Sequence, residues 1–261
     1  MKERLDKVLV NRGLVSSRSK SQELINSSLV KVNDKIVSKC NYMVSDDDKI
    51  SLLENDKLKY VSRGGLKLEK AINVFDIDFK DKIVMDIGSS TGGFCDCALK
   101  HGAKRIVAID VGTNVLHESL RNDKRIDLHE QTNFKYLEHS YFKNIDIITC
   151  DVSFISLSII IEKIYKENIK IDIICLIKPQ FECGKEIANK YKGIILNKSI
   201  HESIINNMIN VFNKYYFYLK AIDYSPIKGG DGNIEYIAYI TNKDKNNINF
   251  DVSKLVSEAF K

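Results

Sequence analysis

The sequence has few of the features that mark membrane, secreted or highly charged proteins. It contains no Trp and only 2 Pro, and no apolar run approaches the ~18 residues that a membrane-spanning helix needs. Its first residues alternate charged and aliphatic side chains without a secretory apolar core, so we expect a cytoplasmic protein. The 40 Lys and Arg residues against 35 Asp and Glu give a net charge of +5, which permits an anionic partner without requiring one.

Cysteine is scarce and dispersed. The 6 cysteines form no CxxC pair, and no His-rich segment accompanies them. This pattern indicates neither a zinc site nor a disulfide framework, so we expect small buried side chains and no bound metal. The apolar fraction of 44% excludes a wholly disordered chain. At 261 residues, two domains are the better expectation.

Residues 1 to about 50 combine two helical patterns with a hairpin pattern. Leu5 and Leu9 lie at helical spacing, and Ser16, Ser17 and Arg18 supply a cap before a second apolar face at Leu24 and Ile25. Alternation over residues 29–37, with a turn at Asn33 and Asp34, predicts a hairpin. The positive charges fit either a solvated face or a nucleic-acid contact. The candidate RNA-binding residues are Arg4, Arg12, Arg18, Lys20 and Lys31, together with Arg63 further along the chain.

This segment resembles the S4-type RNA-binding module. The match lies in R-L-D-K-V-L-V-N-R-G-L at residues 4–14 and in the S-R pair that opens the second helix. The resemblance implies that two helices and a hairpin present Arg and Lys to structured RNA. Ser28 and Asp34 occupy positions where the family usually has Gly, so we expect less regular turns there. Residues 51–61 lack a sustained period and suit a linker or an interface strand, which divides the chain into residues 1–60 and 61–261.

From residue 61 onwards, apolar strand patterns alternate with helical ones. Strands are predicted over residues 82–88, 105–110, 145–151 and 171–178, with helices over 94–99 and through Leu116 and Leu120. This alternation predicts an α/β fold with a Rossmann-like, doubly wound parallel sheet, preceded by the small α+β S4-type domain. Ligands of such sheets bind outside the carboxyl ends of the strands.

A glycine-rich loop follows the first of these strands. Its G-x-x-x-G-G spacing differs from the G-x-G-x-x-G dinucleotide fingerprint, which disfavours an NAD-dependent oxidoreductase. Asp110 ends the next strand, where a carboxylate can accept hydrogen bonds from ribose hydroxyls. A ribose-binding acid without a pyrophosphate cradle fits S-adenosylmethionine, although Gly92 and Gly93 could instead serve only helix–strand packing. The candidate cofactor-binding residues are Asp86, Gly88, Ser89, Ser90, Thr91, Gly92, Gly93, Phe94, Asp110 and Val111.

Four charged residues, Lys67, Asp151, Lys178 and Glu235, lie in or beside apolar segments. Glu235 falls within a late strand pattern over residues 233–239. Each fits an exposed charge at the end of an element, but together they fit the methylation of a ribose hydroxyl, which requires alignment and an acceptor for the proton. A lysine accepts a proton only when its pKa is lowered. We predict that Lys178 is the base or orients the hydroxyl, held by Asp151 and Glu235, while Lys67 positions the hydroxyl or stabilises developing charge.

Taken together, these motifs resemble the TlyA family, also called hemolysin A, over nearly the whole chain. The matching stretches include V-S-R-G-G-L-K-L at 61–68, D-I-G-S-S-T-G-G-F at 86–94, D-V-S-F-I-S-L at 151–157, L-I-K-P-Q-F-E at 176–182 and G-N-I-E-Y at 232–236. The resemblance implies an FtsJ-like 2′-O-methyltransferase with a Lys-Asp-Lys-Glu tetrad at the four residues above. It also implies cytidine ribose of ribosomal RNA as the substrate, in the small subunit, the large subunit or both. The chain departs from the family at Cys95 and at Asn114–Val115.

Two other functions compete with this interpretation. A membrane-lytic protein is suggested by the family's older name, but it would need an amphipathic or spanning segment, and none is visible in the sequence. An RNA-binding protein with a vestigial methyltransferase domain would keep the basic residues and bind no S-adenosylmethionine.

Overall fold

The chain divides into two units, residues 1–59 and 60–261. The computed structural model describes residues 2–15, 17–26, 28–53, 59–229 and 231–261. Each unit has its own buried apolar cluster, so each can be understood by itself. No helix among these described residues is long and apolar enough to cross a membrane.

The first unit packs two helices against short antiparallel strands. In chain order these are β1 (Glu3–Arg4), α1 (Leu5–Asn11), α2 (Arg18–Asn26), β2 (Val30–Val32), β3 (Lys35–Ile36), β4 (Met43–Val44) and β5 (Ile50–Leu52). Strand β1 pairs with β4, and a three-stranded sheet has the order β3-β2-β5. Leu5, Leu9, Leu24, Ile25 and Val30 are fully buried between these elements, because both helices place their apolar positions on one face.

The predicted helices and hairpin are present in this unit. The Ser17 hydroxyl accepts a hydrogen bond from the Lys20 amide at 3.2 Å and caps α2, whereas Ser16 lies outside the described residues. Ser28 and Asp34 adopt left-handed backbone angles, with φ of 58° and 64°. These are conformations that glycine adopts without strain and that residues with a Cβ adopt less readily. Residues 51 and 52 of the predicted linker belong to β5, and residues 54–58 lie outside the described residues.

The second unit is built around a seven-stranded sheet in its described residues. The strand order is β11-β12-β10-β9-β6-β7-β8. Strands β10, β9, β6, β7 and β8 run parallel, and β12 is antiparallel to both β10 and β11. Its strands are β6 (Ile83–Ile87), β7 (Arg105–Ile109), β8 (Ile126–His129), β9 (Ile147–Cys150), β10 (Asp172–Ile177), β11 (Tyr218–Tyr224) and β12 (Tyr236–Thr241).

Helices cover both faces of this sheet. They are α3 (Gly64–Phe75), α4 (Gly93–Lys100), α5 (Glu118–Arg121), α6 (Leu157–Lys166), α7 (Pro179–Glu182), α8 (Gly184–Lys190), α9 (Lys198–Lys214) and α10 (Val252–Ala259), with 3-10 turns at Phe134–Tyr136 and His139–Phe142. One apolar cluster contains Met85 and Ile87, and the other contains Val84. Alternate residues of β6 therefore point to opposite faces, as expected for a doubly wound sheet.

Two predicted boundaries differ from the structure. The helix through Leu116 and Leu120 is reduced to the four residues of α5, and Leu116 precedes it. Strand β12 begins at Tyr236, so Glu235 lies just before the strand and not within it. Gly232 has a φ of 90°, which turns the chain just before the strand.

Candidate active site

The predicted catalytic residues lie at one edge of the sheet. Asp151 and Lys178 directly follow the parallel strands β9 and β10. Because β12 is antiparallel to β10, its first residue Tyr236 pairs with the last residue of β10, Ile177, and Glu235 is brought to the same edge. Lys67 reaches the site from the first turn of α3. The carboxyl ends of the parallel strands are where ligands of such sheets bind.

The four side chains form a connected cluster of ion pairs. Lys67 Nζ lies 2.6 Å from Glu235 Oε2 and 3.4 Å from Asp151 Oδ2. Lys178 Nζ lies 2.5 Å from Asp151 Oδ1 and donates a hydrogen bond to Ser153 Oγ at 3.0 Å. Asp151 therefore bridges the two lysines. Two ammonium groups and two carboxylates balance in charge, as a mostly buried cluster requires.

One detail of the predicted arrangement is wrong. Glu235 does not hold Lys178 in the described residues; it pairs with Lys67 and accepts a longer hydrogen bond from Gln180 at 3.5 Å. Burial lowers the pKa of Lys67, but the carboxylates of Asp151 and Glu235 outweigh this effect and raise the pKa above its ordinary value. Lys67 is therefore a protonated ammonium at neutral pH. It can donate hydrogen bonds and stabilise negative charge, but it has no lone pair with which to accept a proton.

Two adjoining cavities open at this edge. One, of about 300 Å³, is lined by Lys67, Asp151 and Lys178 together with the glycine-rich loop. The other, of about 280 Å³, is lined by Asp110 and Val111 and by residues 132–134. Gly88, Ser90, Asp151 and Ser153 line both, so the charged cluster and the second cavity share a wall.

Most of the predicted cofactor-binding residues line these cavities. Gly88 has a φ of 79°, and a Cβ there would lie 2.9 Å from the Asp151 carbonyl oxygen, so only glycine fits this turn. Asp110 accepts hydrogen bonds from the Ser90 and Gly112 amides, both at 2.7 Å. Asp110 thus holds the loop in place in addition to facing the second cavity.

Two predicted cofactor-binding residues, Asp86 and Gly92, line neither of these two cavities. Asp86 is only 1% exposed and accepts hydrogen bonds from Cys95 Sγ at 3.0 Å and Thr149 Oγ1 at 2.8 Å. Its burial raises the pKa to about 6. Gly92 lines neither cavity; a Cβ there would lie 2.3 Å from Leu120 Cδ1, so this glycine serves packing against Leu116 and Leu120.

The predicted RNA-binding arginines of the first unit make contacts within that unit. Asp6 is fully buried and accepts two hydrogen bonds from Arg4, at 2.9 and 3.0 Å, and one from Arg18, at 3.0 Å. The hydrogen bonds from Arg4 lower the pKa of Asp6 well below its usual value, with further contributions from Gln22 and Arg18. Arg4 and Arg18 remain about half exposed, so their other faces are accessible.

Arg12 has a different environment from the other two arginines. Its guanidinium donates hydrogen bonds to the carbonyls of Ser45, Asp46 and Asp48 at 2.8–3.0 Å, so it fastens the 45–48 loop. Lys20 and Lys31 belong to α2 and β2 of the same unit. Arg63, by contrast, lies in the second unit and lines the 300 Å³ cavity beside the catalytic cluster.

Sequence reasoning missed several residues of the site. Ser153 contacts Lys178, and Asn133 lines the second cavity, but a lone Ser or Asn in a loop carries no pattern signal. Phe154 is 92% exposed at the rim of the second cavity, and its ring centroid lies 5.1 Å from that of Phe181. Its position in D-V-S-F-I-S-L, shortly after the strand that ends at the predicted catalytic residue Asp151, is the signal that could have indicated it. Among the described residues, no cluster of His, Cys, Asp or Glu could hold a metal ion.

The family follows from comparison with known proteins. Residues 60–241 match the model of the FtsJ-like methyltransferases, and residues 3–50 match the S4 domain. The chain belongs to the FtsJ-like methyltransferase family. Its sheet, its glycine-rich loop and its four-residue charged cluster all lie within the matched region.

Relatives named as rRNA methyltransferases align with most of the chain. It is 43% identical over 242 residues to YqxC of Bacillus subtilis, a candidate rRNA methyltransferase, covering 92% of this chain and 85% of that one. It is 37% identical to the Campylobacter jejuni 23S rRNA (cytidine-2′-O)-methyltransferase TlyA, covering 88% and 96%. It is 32% identical to the 16S/23S rRNA (cytidine-2′-O)-methyltransferase TlyA of Mycobacterium tuberculosis, covering 91% and 89%.

A solved structure extends the similarity to both units. The structure of a candidate hemolysin from Streptococcus thermophilus is 39% identical, with a TM-score of 0.76, and covers 99% of this chain and 95% of that one. Methyltransferase and hemolysin both occur among the names of the chain's relatives, and they correspond to two of the three functions that the sequence left open.

Proposed function

We propose that this protein is an S-adenosylmethionine-dependent 2′-O-methyltransferase that acts on cytidine ribose in ribosomal RNA. The observation that supports the proposal is the charged cluster of Lys67, Asp151, Lys178 and Glu235. The first three of these residues line the 300 Å³ cavity, which adjoins the 280 Å³ cavity. The relatives named as cytidine-2′-O-methyltransferases supply the nucleotide and the class of RNA.

The second cavity fits the adenosine part of the cofactor. Asp110 offers carboxylate oxygens for ribose hydroxyls, and Phe134, Ile155 and Ile160 provide apolar surface for a base. Asn133 offers an amide for the polar edge of that base. The glycine-rich loop leads from this cavity to the catalytic cluster, so Ser89, Ser90 and Thr91 would lie beside the amino-acid part of the ligand.

The cofactor, when bound, supplies a methyl group already activated by its positively charged sulfur. The chain's own residues then have two tasks, which are to align the ribose oxygen and to manage its proton. Lys67, fixed as an ammonium between Glu235 and Asp151, donates to the oxygen and stabilises its developing negative charge. It does not take the proton.

The proton therefore leaves through the pair formed by Lys178 and Asp151. Lys178 Nζ is oriented from two sides, by Asp151 Oδ1 at 2.5 Å and Ser153 Oγ at 3.0 Å, and its side chain lines the same cavity as Lys67. In its neutral form Lys178 is the general base, and Asp151 stabilises the ammonium that results from the transfer.

The exposed surfaces fit RNA as the second substrate. Arg63 lies at the mouth of the catalytic cavity, and Phe154 at the rim of its neighbour presents an aromatic face on which an unstacked base can pack. Arg4 and Arg18, held by Asp6 in the S4 unit, provide accessible positive charge for phosphates.

The experiment that tests the proposal incubates the purified protein with ribosomal subunits and methyl-labelled S-adenosylmethionine. Nuclease digestion and mass spectrometry should reveal 2′-O-methylcytidine in the RNA, and the Lys178→Ala variant should produce none above background. Label in a base, or no label in either subunit, would contradict the proposal.

The hemolytic alternative is separated by a leakage assay on dye-filled liposomes. We expect neither the wild-type protein nor Lys178→Ala to release dye. Release that persists in the Lys178→Ala variant would support the lytic function, because it would be independent of methyl transfer.

A further inference from the structure

The loop of residues 152–156 separates the two cavities and contacts the catalytic cluster. It follows β9 and Asp151, and it ends where α6 begins at Leu157. Ser153 lines both cavities, and its hydroxyl accepts the hydrogen bond from Lys178 Nζ at 3.0 Å. The position of this loop therefore determines one of the two contacts that orient Lys178.

Glu182 fixes the far end of this loop. Its carboxylate accepts hydrogen bonds from the Leu157 backbone N–H and from the Ser156 hydroxyl, both at 2.7 Å. The Ser156 hydroxyl in turn accepts from the Ser158 backbone N–H at 3.2 Å. The first N–H groups of a helix have no partners within the helix and favour an anion, so Glu182 closes the start of α6.

Glu182 is also tied to Lys178 through the backbone. It is the last residue of α7, which directly follows Lys178, and its N–H donates to the Lys178 carbonyl at 3.2 Å. The contacts thus form a closed ring. It runs from Lys178 Nζ to Ser153, along the loop to Ser156, across to the Glu182 carboxylate and back through one helical turn to Lys178.

The loop requires an external restraint. Phe154 has a left-handed backbone with a φ of 64°, which is unfavourable for a residue with a Cβ. Its side chain is 92% exposed, so burial of the ring does little to hold this conformation. Strained backbone conformations persist only where the surrounding structure fixes them.

The burial of Glu182 supports a role beyond capping. Burial raises the pKa of Glu182, although the hydrogen bonds from Leu157 and Ser156 oppose the effect. Partial burial of a carboxylate costs free energy that a Ser or Asn cap would not. Its place in the turn after Lys178 is explained if the hydrogen bonds that it accepts from Leu157 and Ser156 restrain the loop.

We propose that Glu182 is a positioning residue for methyl transfer, which fixes loop 152–156 and through Ser153 sets the orientation of Lys178. The role assigned to Lys178 rests on the proposed function, whereas the restraint of the loop does not. The restraint of the loop and its effect on methyl transfer can therefore be tested by separate measurements.

The test uses the full-length protein with Glu182→Ala, Glu182→Gln and Ser153→Ala, and with Glu186→Ala as a matched control on the exposed side of α8. Glu182→Ala should lower kcat on ribosomal RNA about 10- to 100-fold, because small displacements of reacting groups are costly. Glu182→Gln should restore most of the rate, since its amide oxygen still accepts from Leu157 and its NH₂ donates to Ser156. Glu186→Ala should behave as wild type.

A double-mutant cycle distinguishes positioning from general stabilisation. If the ring transmits the effect, Glu182→Ala should cost little further activity in a Ser153→Ala background. Full additivity of the two changes, or a wild-type kcat in Glu182→Ala, would overturn the proposal. Ser156→Ala, which removes one partner of Glu182 and keeps the carboxylate, gives the same comparison if Glu182→Ala does not fold.

Hydrogen exchange of the amides of residues 152–157 tests the restraint without RNA. Exchange should be faster in Glu182→Ala than in Glu186→Ala, and unchanged exchange would overturn the proposal. If the wild-type protein transferred no methyl group to RNA, the proposed function would fail, and the exchange comparison would still decide whether Glu182 holds the loop.

Discussion

Replacing Glu235 by Gln removes one of the two carboxylates that neutralise the buried Lys67 ammonium. Glu235 Oε2 and Lys67 Nζ are 2.6 Å apart, and the Glu235 side chain is 3% exposed. The amide of Gln has nearly the same shape, so packing against Gly229 and Gln180 is retained. The change therefore isolates the charge.

The magnitude follows from the distance and the burial. At 2.6 Å and an effective dielectric constant of about 20, Coulomb's law gives an attraction of about 6 kcal/mol. Reorganisation of water and of Asp151 offsets part of this lost attraction. Removing the charge of one partner of a buried ion pair typically lowers the free energy of unfolding by about 3 kcal/mol. For a domain of this size that corresponds to a fall in Tm of about 6–12 °C.

The pH dependence gives a second test of the same ion pair. In the wild type, the pKa of Lys67 is higher in the folded than in the unfolded state, so its ionisation contributes to the free energy of unfolding. This contribution is fully present below the pKa of an unfolded lysine, and it is lost as pH rises through the folded pKa. Neutralising Glu235 removes one of the two carboxylates that raise this pKa, so the folded pKa of Lys67 should be lower in the variant than in the wild type. The difference in unfolding free energy should therefore shrink as pH rises.

The measurement is urea or thermal unfolding of wild type, Glu235→Gln and the exposed control Glu186→Gln at several pH values. Glu186→Gln should match the wild type throughout. A Glu235→Gln variant as stable as the wild type at neutral pH, with the same pH profile, would refute the assignment of a charged Lys67 held by this carboxylate.

Three further predictions concern the reaction and its substrates. Lys178→Arg keeps a positive charge but cannot deprotonate, so kcat should fall about 10²–10⁴-fold in single-turnover assays, with cofactor affinity by calorimetry unchanged; a near-wild-type rate would show that Lys178 is not the base. Asp110→Ala removes the ribose acceptor and two bonds that hold the loop, so the dissociation constant for S-adenosylmethionine should rise about 10- to 100-fold, while filter binding shows RNA affinity unaltered. Arg4→Ala with Arg18→Ala should weaken RNA binding and reduce the salt slope by about 1–2, whereas Arg12→Ala should mainly lower the stability of the S4 unit; equal effects on the salt slope would contradict the distinction between these arginines.

The sheet and the glycine-rich loop were predictable because their signals are local. Apolar strands that end in Asp110, Asp151 and Lys178 can be recognised in sequence, and parallel strands bring such ends to one edge. The buried position of Asp86 could also have been predicted from the sequence. Asp86 shares a strand face with Val84, by the two-residue period, and that face is covered by α4 and Cys95.

The pairing within the charged cluster could not be predicted in the same way. That Glu235 meets Lys67 and not Lys178 depends on the antiparallel insertion of β12 beside β10, a long-range pairing with no local signature. The same holds for Asp6, whose contacts to Arg4 and Arg18 join residues of two helices and a short strand. The hydrogen bonds that Arg12 donates likewise reach a loop more than thirty residues further along the chain.

The central claim is tested most directly by mapping 2′-O-methylation in ribosomal RNA from cells with and without the gene. The account predicts a 2′-O-methylcytidine that is lost on deletion, restored by the wild-type gene and not restored by Lys178→Ala. An unchanged methylation map on deletion, or restoration by the Lys178→Ala gene, would contradict it.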